Sequence, residues 1–379
     1  MARLRIGFDG LTITARPAGI GSAAAETLDR LARCADAPEI VAVLPEGSAA
    51  DERIAGLPNV EIVRAPFDGP DTIRALAFQH RTMPALLRER RCDAHYAPSF
   101  VVPLLAAAPP SVVVFHDASW RRFPQTKSRQ FRAYMDFAVP RSCRRAAIVL
   151  ADSEFAKGEA IESVPGLDPS KVEVVPLGAR ALPAPADAPA ALARIGVTGP
   201  YLLSVSNFDP RKNLDALVDA WRALRHGDSS APALVLVGDP SRAAALRERA
   251  AARPDEPLVT PGYVSAADLA ALYANAAAVV VPSLYEGFGL PVLEAFLAGA
   301  PVACSDRASL PEVAGDAAVL FDPTDSAAMT AAIREVLRRG PARDDRIAKG
   351  RARAAEFTWE RTASLVLRAL GRAAAATSS

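Results

Sequence analysis

Ala278-Val-Val-Val-Pro-Ser-Leu-Tyr-Glu-Gly-Phe-Gly-Leu-Pro-Val-Leu-Glu294 is the stretch of sequence that decides the fold. Its apolar start, 278–281, predicts a buried strand, and a glycine loop and a helix start follow directly. Pro291 suits the first helical position, because its missing N–H would be unpaired there in any case. Such a unit leaves several backbone N–H groups free to face an anion, so the stretch predicts a phosphate site at this turn.

Two glutamates border this predicted phosphate site. Glu286 precedes the glycine loop and Glu294 lies one turn into the helix. Carboxylates on both sides of a phosphate site are suited to bind hydroxyl-bearing groups on either side of the phosphate. A nucleotide sugar has this arrangement of groups. In the structural alternative, the glycines only shape a turn, Glu286 is a solvated charge and Glu294 is a first-turn acid favoured by the helix dipole. Two carboxylates in one site are also the usual pair of a general acid and a general base.

Short apolar runs alternate with amphipathic or alanine-rich segments along the whole chain. This alternation predicts βαβ units and parallel sheets. The predicted strands form two series, 4–8, 40–44, 60–63, 112–115, 148–151 and 172–175, then 201–205, 234–237, 279–281, 301–304 and 318–321. With 379 residues, half of them hydrophobic, the chain is long enough for two domains.

Composition and charge exclude several classes of partner. The 44 basic and 43 acidic residues give a net charge of +1, which predicts no nucleic-acid partner and no strong global attraction to membranes. The four cysteines have no paired metal spacing, so we expect reduced, buried thiols. The chain opens on a predicted strand instead of a signal peptide, and no apolar run approaches the length of a membrane span. These features predict a soluble, cytoplasmic protein.

Residues 283–294 resemble the donor-site signature of the retaining glycosyltransferases called family 4 or group 1. Asn-Phe-Asp-Pro-Arg-Lys-Asn-Leu at 207–214 resembles the Pro-Arg-Lys-Asn motif of that family, and His116-Asp117 resembles its His-Asp segment. The resemblance covers nearly the full chain. It implies an α/β fold of the GT-B type, with two Rossmann-like domains facing across a cleft and a C-terminal helix crossing back to the N-terminal domain.

This fold predicts the domain boundaries. We expect residues 1–180 and 358–379 to form an N-terminal acceptor domain. Residues 199–357 should form a C-terminal nucleotide-sugar donor domain, and residues 181–198, rich in Pro and Ala, a linker between the two. Helical patterns at 343–357 and 359–370 close the chain, with Thr358 as the predicted cap between them.

Arg211 and Lys212 are adjacent cations after the first strand of the second series, and Asn213 is a candidate helix cap. Two fixed cations beside a diphosphate neutralise the charge that builds on the leaving group as the glycosidic bond breaks. The alternative is a solvated basic turn. Because the sequence contains no Asp-x-Asp run and no clustered set of His and carboxylates, we expect no metal; the cations and the helix-end N–H groups then stabilise the charge.

The family resemblance implies a role for each residue of the donor site. In the family, Glu286 contacts sugar hydroxyls and Glu294 contacts the ribose, so neither is a nucleophile. Retention then proceeds by front-face attack, with the leaving phosphate taking the acceptor proton. The donor also contacts the loop between the glutamates, Gly287, Phe288, Gly289 and Leu290.

His116 ends the predicted strand 112–115, where ligands of parallel sheets collect. The resemblance implies that it contacts the transferred sugar; the alternative is a structural histidine with satisfied hydrogen bonds. Gly21 lies at a predicted helix start, and the resemblance implies that it approaches the donor diphosphate. About ten residues separate the first strand from Gly19-Ile20-Gly21, which argues against a nicotinamide-binding fingerprint, and a plain glycine turn is the other alternative.

Three weaker candidates lie in the segment between the predicted strands 234–237 and 279–281. Gly238 ends the strand 234–237 and is placed to pass close to the nucleotide. Tyr263 and Val264 match the family's segment lining the base pocket, with core packing as the alternative.

Residues 121–145 carry eight basic residues, several aromatic residues and a single acid, Asp136. This segment predicts an acceptor face or a face for the membrane surface, with a solvated helix as the alternative. Pro140 interrupts the helical pattern and argues against one long amphipathic helix.

The combination of Ser-Glu-Phe at 153–155, His116-Asp117 and the Pro-Arg-Lys-Asn motif most resembles bacterial transferases of O-antigen and exopolysaccharide assembly. We therefore predict a retaining, metal-independent hexosyltransferase that takes mannose from GDP-mannose, a donor substrate and not a cofactor. Its acceptor is a glycan or a lipid-linked glycan, with peripheral contact at the cytoplasmic face of the inner membrane. A UDP-hexose donor is the nearest alternative. A sugar-nucleotide epimerase of GT-B fold and a catalytically silent partner subunit are the alternatives from other classes.

Overall fold

The computed structural model describes residues 3–376 except 16, 18, 68–72, 185–186, 229, 240–245, 247 and 249–255. The chain divides into two compact units. The first unit consists of Met1–Gly178 and Thr358–Ser379, and the second consists of Ala179–Phe357.

The first unit contains one parallel sheet. Its strands are β1 (Arg5–Asp9), β2 (Glu39–Pro45), β3 (Val60–Ala65), β4 (Ala94–Ala97), β5 (Ser111–Phe115), β6 (Ile148–Ala151) and β7 (Val172–Val174). Their order in the sheet is β3-β2-β1-β4-β5-β6-β7. Six of them match predicted strands. No apolar run predicts β4, because this strand has only four residues and includes His95, although that side chain is fully buried.

The second unit contains a six-stranded parallel sheet among its described residues. Its strands are β8 (Tyr201–Val205), β9 (Ala233–Val237), β10 (Leu258–Gly262), β11 (Ala278–Val281), β12 (Val302–Ser305) and β13 (Ala318–Phe321). Their order is β10-β9-β8-β11-β12-β13. The missed strand, β10, contains Pro261, which is tolerated because β10 lies at the edge of the described sheet. Two Rossmann-like α/β units confirm the predicted fold class.

Helices connect the strands in both units. The first unit has α1 (Ile20–Arg33), α2 (Asp51–Ile54), α3 (Ile73–Ala77), a π-helical turn (Phe78–Thr82), α4 (Met83–Glu89), α5 (Ser119–Arg122), α6 (Arg129–Arg145) and α7 (Glu154–Ser163). The second has α8 (Ala188–Ile195), α9 (Leu214–Gly227), α10 (Ala266–Asn275), α11 (Leu290–Ala298), α12 (Leu310–Ala314), α13 (Ser326–Leu337) and α14 (Pro341–Ala355). A final helix, α15 (Trp359–Ala375), belongs to the first unit.

The final helix completes the core of the first unit. Val366 and Leu370 of α15 are fully buried in the cluster that contains the strand residues Ile6 and Val112. Thr358 caps this helix as predicted, because its side chain accepts a hydrogen bond from the N–H of Arg361. The chain therefore leaves the first unit at residue 178 and returns to it at residue 358.

Two local predictions differ from the structure. Helix α6 continues through Pro140, so the interruption predicted at this residue is wrong, although residues 121–145 do not form one helix, because α5 ends at Arg122 and α6 begins at Arg129. Proline removes one hydrogen bond, but Val139 and Cys143 on either side are fully buried, and this packing holds the helix together. The predicted linker contains helix α8, which Asp187 caps by accepting from the N–H of Ala190 at 2.9 Å.

Candidate functional site

The predicted donor-binding residues of the second unit lie at one edge of its sheet. Strands β10, β9, β8 and β11 are neighbours and run parallel, so the segments after them lie at the same edge. Tyr263 directly follows β10 and Gly238 directly follows β9. Arg211 lies in the segment after β8, and Glu286 lies in the segment after β11. Four separate parts of the sequence thus supply this edge.

Glu286 lies between the two predicted cations. Lys212 donates to its Oε1 in a buried ion pair, and Nη1 of Arg211 lies 3.4 Å from its Oε2. Ser283 donates its hydroxyl to Oε1 at 2.8 Å. Arg211 also donates to the carbonyl oxygen of Tyr285 at 3.0 Å. The structure therefore brings Arg211, Lys212 and Glu286 together, although 74 residues separate Lys212 from Glu286.

This arrangement sets the charge of Glu286. Burial raises the pKa of a carboxyl group, but the charges of Lys212 and Arg211 and the hydrogen bonds to Glu286 outweigh it, so the pKa of Glu286 lies below its ordinary value of 4.5. Glu286 is an ionised carboxylate at neutral pH. It is suited to accept hydrogen bonds from hydroxyl groups and unsuited to act as a general acid.

A short turn holds the two cations. Pro210–Lys212 form a 3-10 turn that begins at Asp209, whose side chain accepts from the N–H of Arg211 at 3.2 Å. The N–H of Leu284 donates to the carbonyl oxygen of Arg211 at 2.8 Å, which ties this turn to the segment after β11. Asn213 occupies the N-cap position of α9 as predicted, but its side chain makes no cap bond there. Its amide donates instead to the carbonyl oxygen of Pro323 at 2.8 Å.

The glycine loop leads into helix α11 as the sequence predicts. Gly289 occupies the position before the helix with φ of 122°, a conformation that side chains disfavour, and Pro291 lies in the first turn. The hydroxyl of Ser309 lies 2.9 Å from the carbonyl oxygen of Glu286 and 2.6 Å from that of Phe288. The loop is therefore fixed through its backbone. Gly287 and the buried Phe288 lie within it, and Leu290 is the first residue of the helix.

Glu294 has a different environment from Glu286. Tyr273 donates its hydroxyl to Oε2 of Glu294 at 2.9 Å, and Nε of Arg180 lies 3.7 Å from Oε1. Burial raises the pKa of Glu294, and the Arg180 charge and the Tyr273 hydrogen bond oppose it without cancelling it. Glu286 and Glu294 are therefore held by different partners.

Packing accounts for two of the predicted glycines. A Cβ atom on Gly238 would lie 1.7 Å from the carbonyl oxygen of Ser206, and one on Gly21 would lie 2.3 Å from that of Thr12. Both positions need glycine whether or not a donor binds, and contact with the donor stays a prediction. Tyr263 is 66% exposed and Val264 is partly exposed, which leaves the tyrosine ring available to a ligand.

In the first unit, His116 directly follows β5 and is buried. Its Nδ1 lies 2.6 Å from Oδ2 of Asp152, and its Nε2 lies 2.7 Å from the carbonyl oxygen of Pro98. Burial lowers the pKa of the ring, but the charge and hydrogen bond of Asp152 outweigh it, so the pKa of His116 lies above 6.5. Whether this side chain contacts a sugar stays a prediction.

Sequence reasoning missed several partners of these residues. Asp152 follows β6 as His116 follows β5, so its position at a strand end was a usable signal. Ser283 lies inside the quoted stretch, three residues before Glu286. By contrast, no pattern connects Arg180 or Tyr273 with Glu294, because those contacts arise only from the folded chain.

Comparison with known proteins gives matches along most of the chain. Residues 17–181 match the family model Glycosyltransferase Family 4, and residues 193–353 match Glycosyl transferases group 1. The O-antigen chain mannosyltransferase B of Escherichia coli is 30% identical over 360 residues, which are 90% of this chain and 93% of that protein. The serotype-specific mannosyltransferase WbdA of Escherichia coli is 29% identical over 262 residues, 68% of this chain and 31% of that longer protein.

Among solved structures, the sucrose-phosphate synthase of Thermosynechococcus elongatus has a TM-score of 0.78 at 20% identity. The match covers 99% of this chain and 100% of that chain. At this level of identity the likeness concerns the fold alone.

Proposed function

This chain belongs to the group 1 glycosyltransferases of family 4, and we propose that it transfers mannose from GDP-mannose to a hydroxyl group of a glycan or lipid-linked acceptor. The proposed setting is the assembly of a bacterial surface polysaccharide. Two relatives support this choice, since both are described as mannosyltransferases and one of them covers most of this chain.

The buried group of Lys212, Arg211 and Glu286 carries the proposal. Bond cleavage in a nucleotide sugar places negative charge on the diphosphate and positive charge on the sugar. Fixed cations stabilise the negative charge on the diphosphate. An ionised carboxylate that accepts hydrogen bonds from the sugar hydroxyls holds the sugar in position. The second unit supplies both kinds of group within one hydrogen-bonded cluster.

In the proposed reaction, the bond between the anomeric carbon and the phosphate oxygen breaks, and a bond to the acceptor oxygen forms on the same face. The acceptor proton passes to the leaving phosphate, and GDP departs. Glu294 holds the ribose. Glu286 remains ionised throughout and forms no covalent bond with the sugar, which agrees with its lowered pKa.

Charge stabilisation by side chains is also proposed in place of a metal or cofactor. Arg211 and Lys212 supply the positive charge, and the start of helix α11 supplies backbone N–H groups. Within the described part of the chain, no group of three or more His, Cys, Asp or Glu residues is arranged to hold a metal ion. Transfer at an unchanged rate in the presence of EDTA would support this part of the proposal.

Nucleotide release tests the proposed reaction. Purified protein is incubated with GDP-mannose and, in parallel, with UDP-glucose, each with and without a lipid-linked oligosaccharide acceptor. We expect GDP release that depends on the acceptor and a product larger by one hexose. UDP release alone would favour the UDP-hexose alternative, and an isomerised sugar nucleotide would favour the epimerase. If neither nucleotide is released and neither sugar is transferred, the catalytically silent subunit becomes the better explanation.

Helix α6 supports the proposed contact with the cytoplasmic face of the inner membrane. One face of this helix is exposed, and it presents Phe137, Arg141 and Arg144 at a spacing of three to four residues. Phe137 is 52% exposed, and the guanidinium of Arg141 lies 3.9 Å from the centre of its ring. Exposed aromatic and basic side chains on one face fit an anionic lipid surface. No described helix is long and apolar enough to cross a membrane.

We expect the triple variant Phe137→Ser, Arg141→Gln, Arg144→Gln to bind anionic vesicles about tenfold or more weakly, because each basic residue contributes about 1 kcal/mol near such a surface. Sedimentation with vesicles of phosphatidylglycerol and phosphatidylcholine measures this. Arg338→Gln, which removes an exposed arginine of the second unit, serves as the charge control. Equal binding by the triple variant and the control would contradict membrane contact through α6.

A further inference from the structure

Three neighbouring strands of the first sheet end at residues that meet around one imidazole ring. Strands β4, β5 and β6 are adjacent and parallel, and the residues that directly follow them are Pro98, His116 and Asp152. The ring of His116 lies 2.7 Å from the Pro98 carbonyl oxygen and 2.6 Å from Asp152 Oδ2. One side chain therefore ties together the carboxyl ends of all three strands.

The two partners of the ring determine its protonation. A backbone carbonyl and a carboxylate are both acceptors of hydrogen bonds, so each ring nitrogen must carry a proton to bond with them. A neutral imidazole has only one N–H and would leave one of these short contacts without a proton. With Asp152 as a carboxylate, the geometry thus requires the charged form of His116.

The other carboxylate oxygen strengthens this pairing. Oδ1 of Asp152 is buried and has no hydrogen-bond partner among the residues that the structure describes. A buried carboxylate without other donors is costly unless a positive charge lies beside it. His116 is the positively charged partner that the described contacts provide.

We propose that Asp152 is a positioning residue of the transferase, which keeps His116 doubly protonated and fixed against the Pro98 carbonyl at the carboxyl edge of the first sheet. The inference rests on the proposed function and on the predicted contact of His116 with the transferred sugar. A ring with both nitrogens bonded has no lone pair to accept a proton. His116 therefore acts through its fixed charge and position, and the leaving phosphate takes the acceptor proton.

Few other titratable groups surround the ring. His116 and Asp152 line a small cavity with Tyr96 of β4, and helices α1 and α15 contribute Thr27 and Thr362, which carry no charge. Among the described residues, Asp117 is the other acid whose charge affects His116, and its Oδ1 accepts from the N–H of Ser119 at 2.8 Å. Asp152 is thus the acid that both contacts the ring and sets its charge.

The test combines NMR with kinetics on the full chain. The protein has only four histidines, so imidazole nitrogens labelled with ¹⁵N give a simple spectrum, and His116→Gln assigns the signal of His116. We expect wild-type His116 to remain doubly protonated at pH 7. In Asp152→Asn it should become neutral at a lower pH than in the wild type. The same variant should lower kcat at pH 7.5 by about 10- to 100-fold, the range for one lost charge-assisted hydrogen bond.

The pH dependence separates positioning from a merely structural role. In Asp152→Asn, the decline of kcat with rising pH should begin at a lower pH, in step with the NMR titration. Asp117→Asn, which removes a carboxylate that does not bond to the ring, is the matched control and should change the titration much less. The inference is overturned if wild-type His116 is neutral at pH 7, or if Asp152→Asn moves neither its titration nor the pH profile.

Two further outcomes are distinguishable. If Asp152→Asn fails to fold, the wild-type titration still decides whether the ring is charged. If wild-type protein transfers no sugar from any donor tested, the proposed function fails, while the titrations of the wild type and the two aspartate variants still decide whether Asp152 holds the charge on His116.

Discussion

Glu286→Gln is expected to lower sugar transfer about 100- to 1,000-fold while the protein stays folded and binds GDP at least as tightly as before. Glutamine keeps the shape of the side chain but removes the charge that Lys212 and Arg211 now neutralise. The two cations then have more positive charge available for a diphosphate. The amide oxygen of glutamine is a weaker acceptor for sugar hydroxyls than the ionised carboxylate, so the turnover falls while the affinity for the nucleotide does not.

Two measurements check this prediction: the initial rate of GDP release with acceptor present, and calorimetric titration with GDP. Glu356→Gln is a suitable control, because Glu356 is an exposed glutamate of the same unit that pairs with Arg353. The control should keep the wild-type rate. If Glu286→Gln transferred sugar at the wild-type rate, Glu286 would not be a residue of the active site. A large loss of GDP affinity would contradict the proposal that the cations bind the diphosphate while Glu286 binds the sugar.

Lys212→Gln is expected to reduce both activity and stability. It removes a cation proposed to face the diphosphate, so kcat/KM should fall about 100-fold or more. It also leaves the buried Glu286 with Arg211, 3.4 Å away, as its one charged partner among the described residues. Removing one member of a buried ion pair costs about 3 kcal/mol of unfolding free energy at neutral pH. Denaturant titrations at several pH values measure this loss.

The sign of the pH dependence follows from the lowered pKa of Glu286. In the wild type, the ionised carboxylate stabilises the folded state above its ordinary pKa of 4.5, and this contribution is lost as the pH falls through the lower folded value. In Lys212→Gln, burial favours the protonated acid instead. The difference in stability between variant and wild type should therefore be largest near pH 7 and should shrink toward pH 4.

A double variant separates the two effects of Lys212. Glu286→Gln combined with Lys212→Gln removes both members of the Lys212–Glu286 pair and leaves Arg211, which still lies 3.9 Å from Asp209, so most of the lost stability should return. Its activity should stay as low as that of the single variants. A double variant that is less stable than Lys212→Gln alone would show that the buried pair does not account for the instability.

Sequence patterns predicted the sheet strands where continuous apolar runs occur. The apolar run 278–281 forms β11 and the run 112–115 forms most of β5, because strands buried on both faces need apolar residues at every position. The same rule fails for β4, where a buried histidine interrupts the pattern. A different rule, that proline interrupts a helix, fails at Pro140, because its effect on α6 depends on packing that exists only in the folded chain.

The residues of the site were predictable mainly where a motif contains them. Glu286, Arg211 and Lys212 each lie in a short segment with its own signal, but their mutual contacts join segments that are far apart in sequence. The contacts of Glu294 with Tyr273 and Arg180 have no local signal at all. Asp152 was the avoidable omission, because it directly follows a predicted strand and faces a predicted site residue.

The return of α15 to the first unit has a consequence for how the protein folds during translation. The nascent first unit lacks the helix that buries its core residues, such as Val112, until the whole second unit has left the ribosome. At about 5–20 residues per second this delay is on the order of ten seconds or more. During that time an apolar surface of the growing chain is exposed to chaperones and to other nascent chains, while the continuous second unit has all of its own residues and is free to fold.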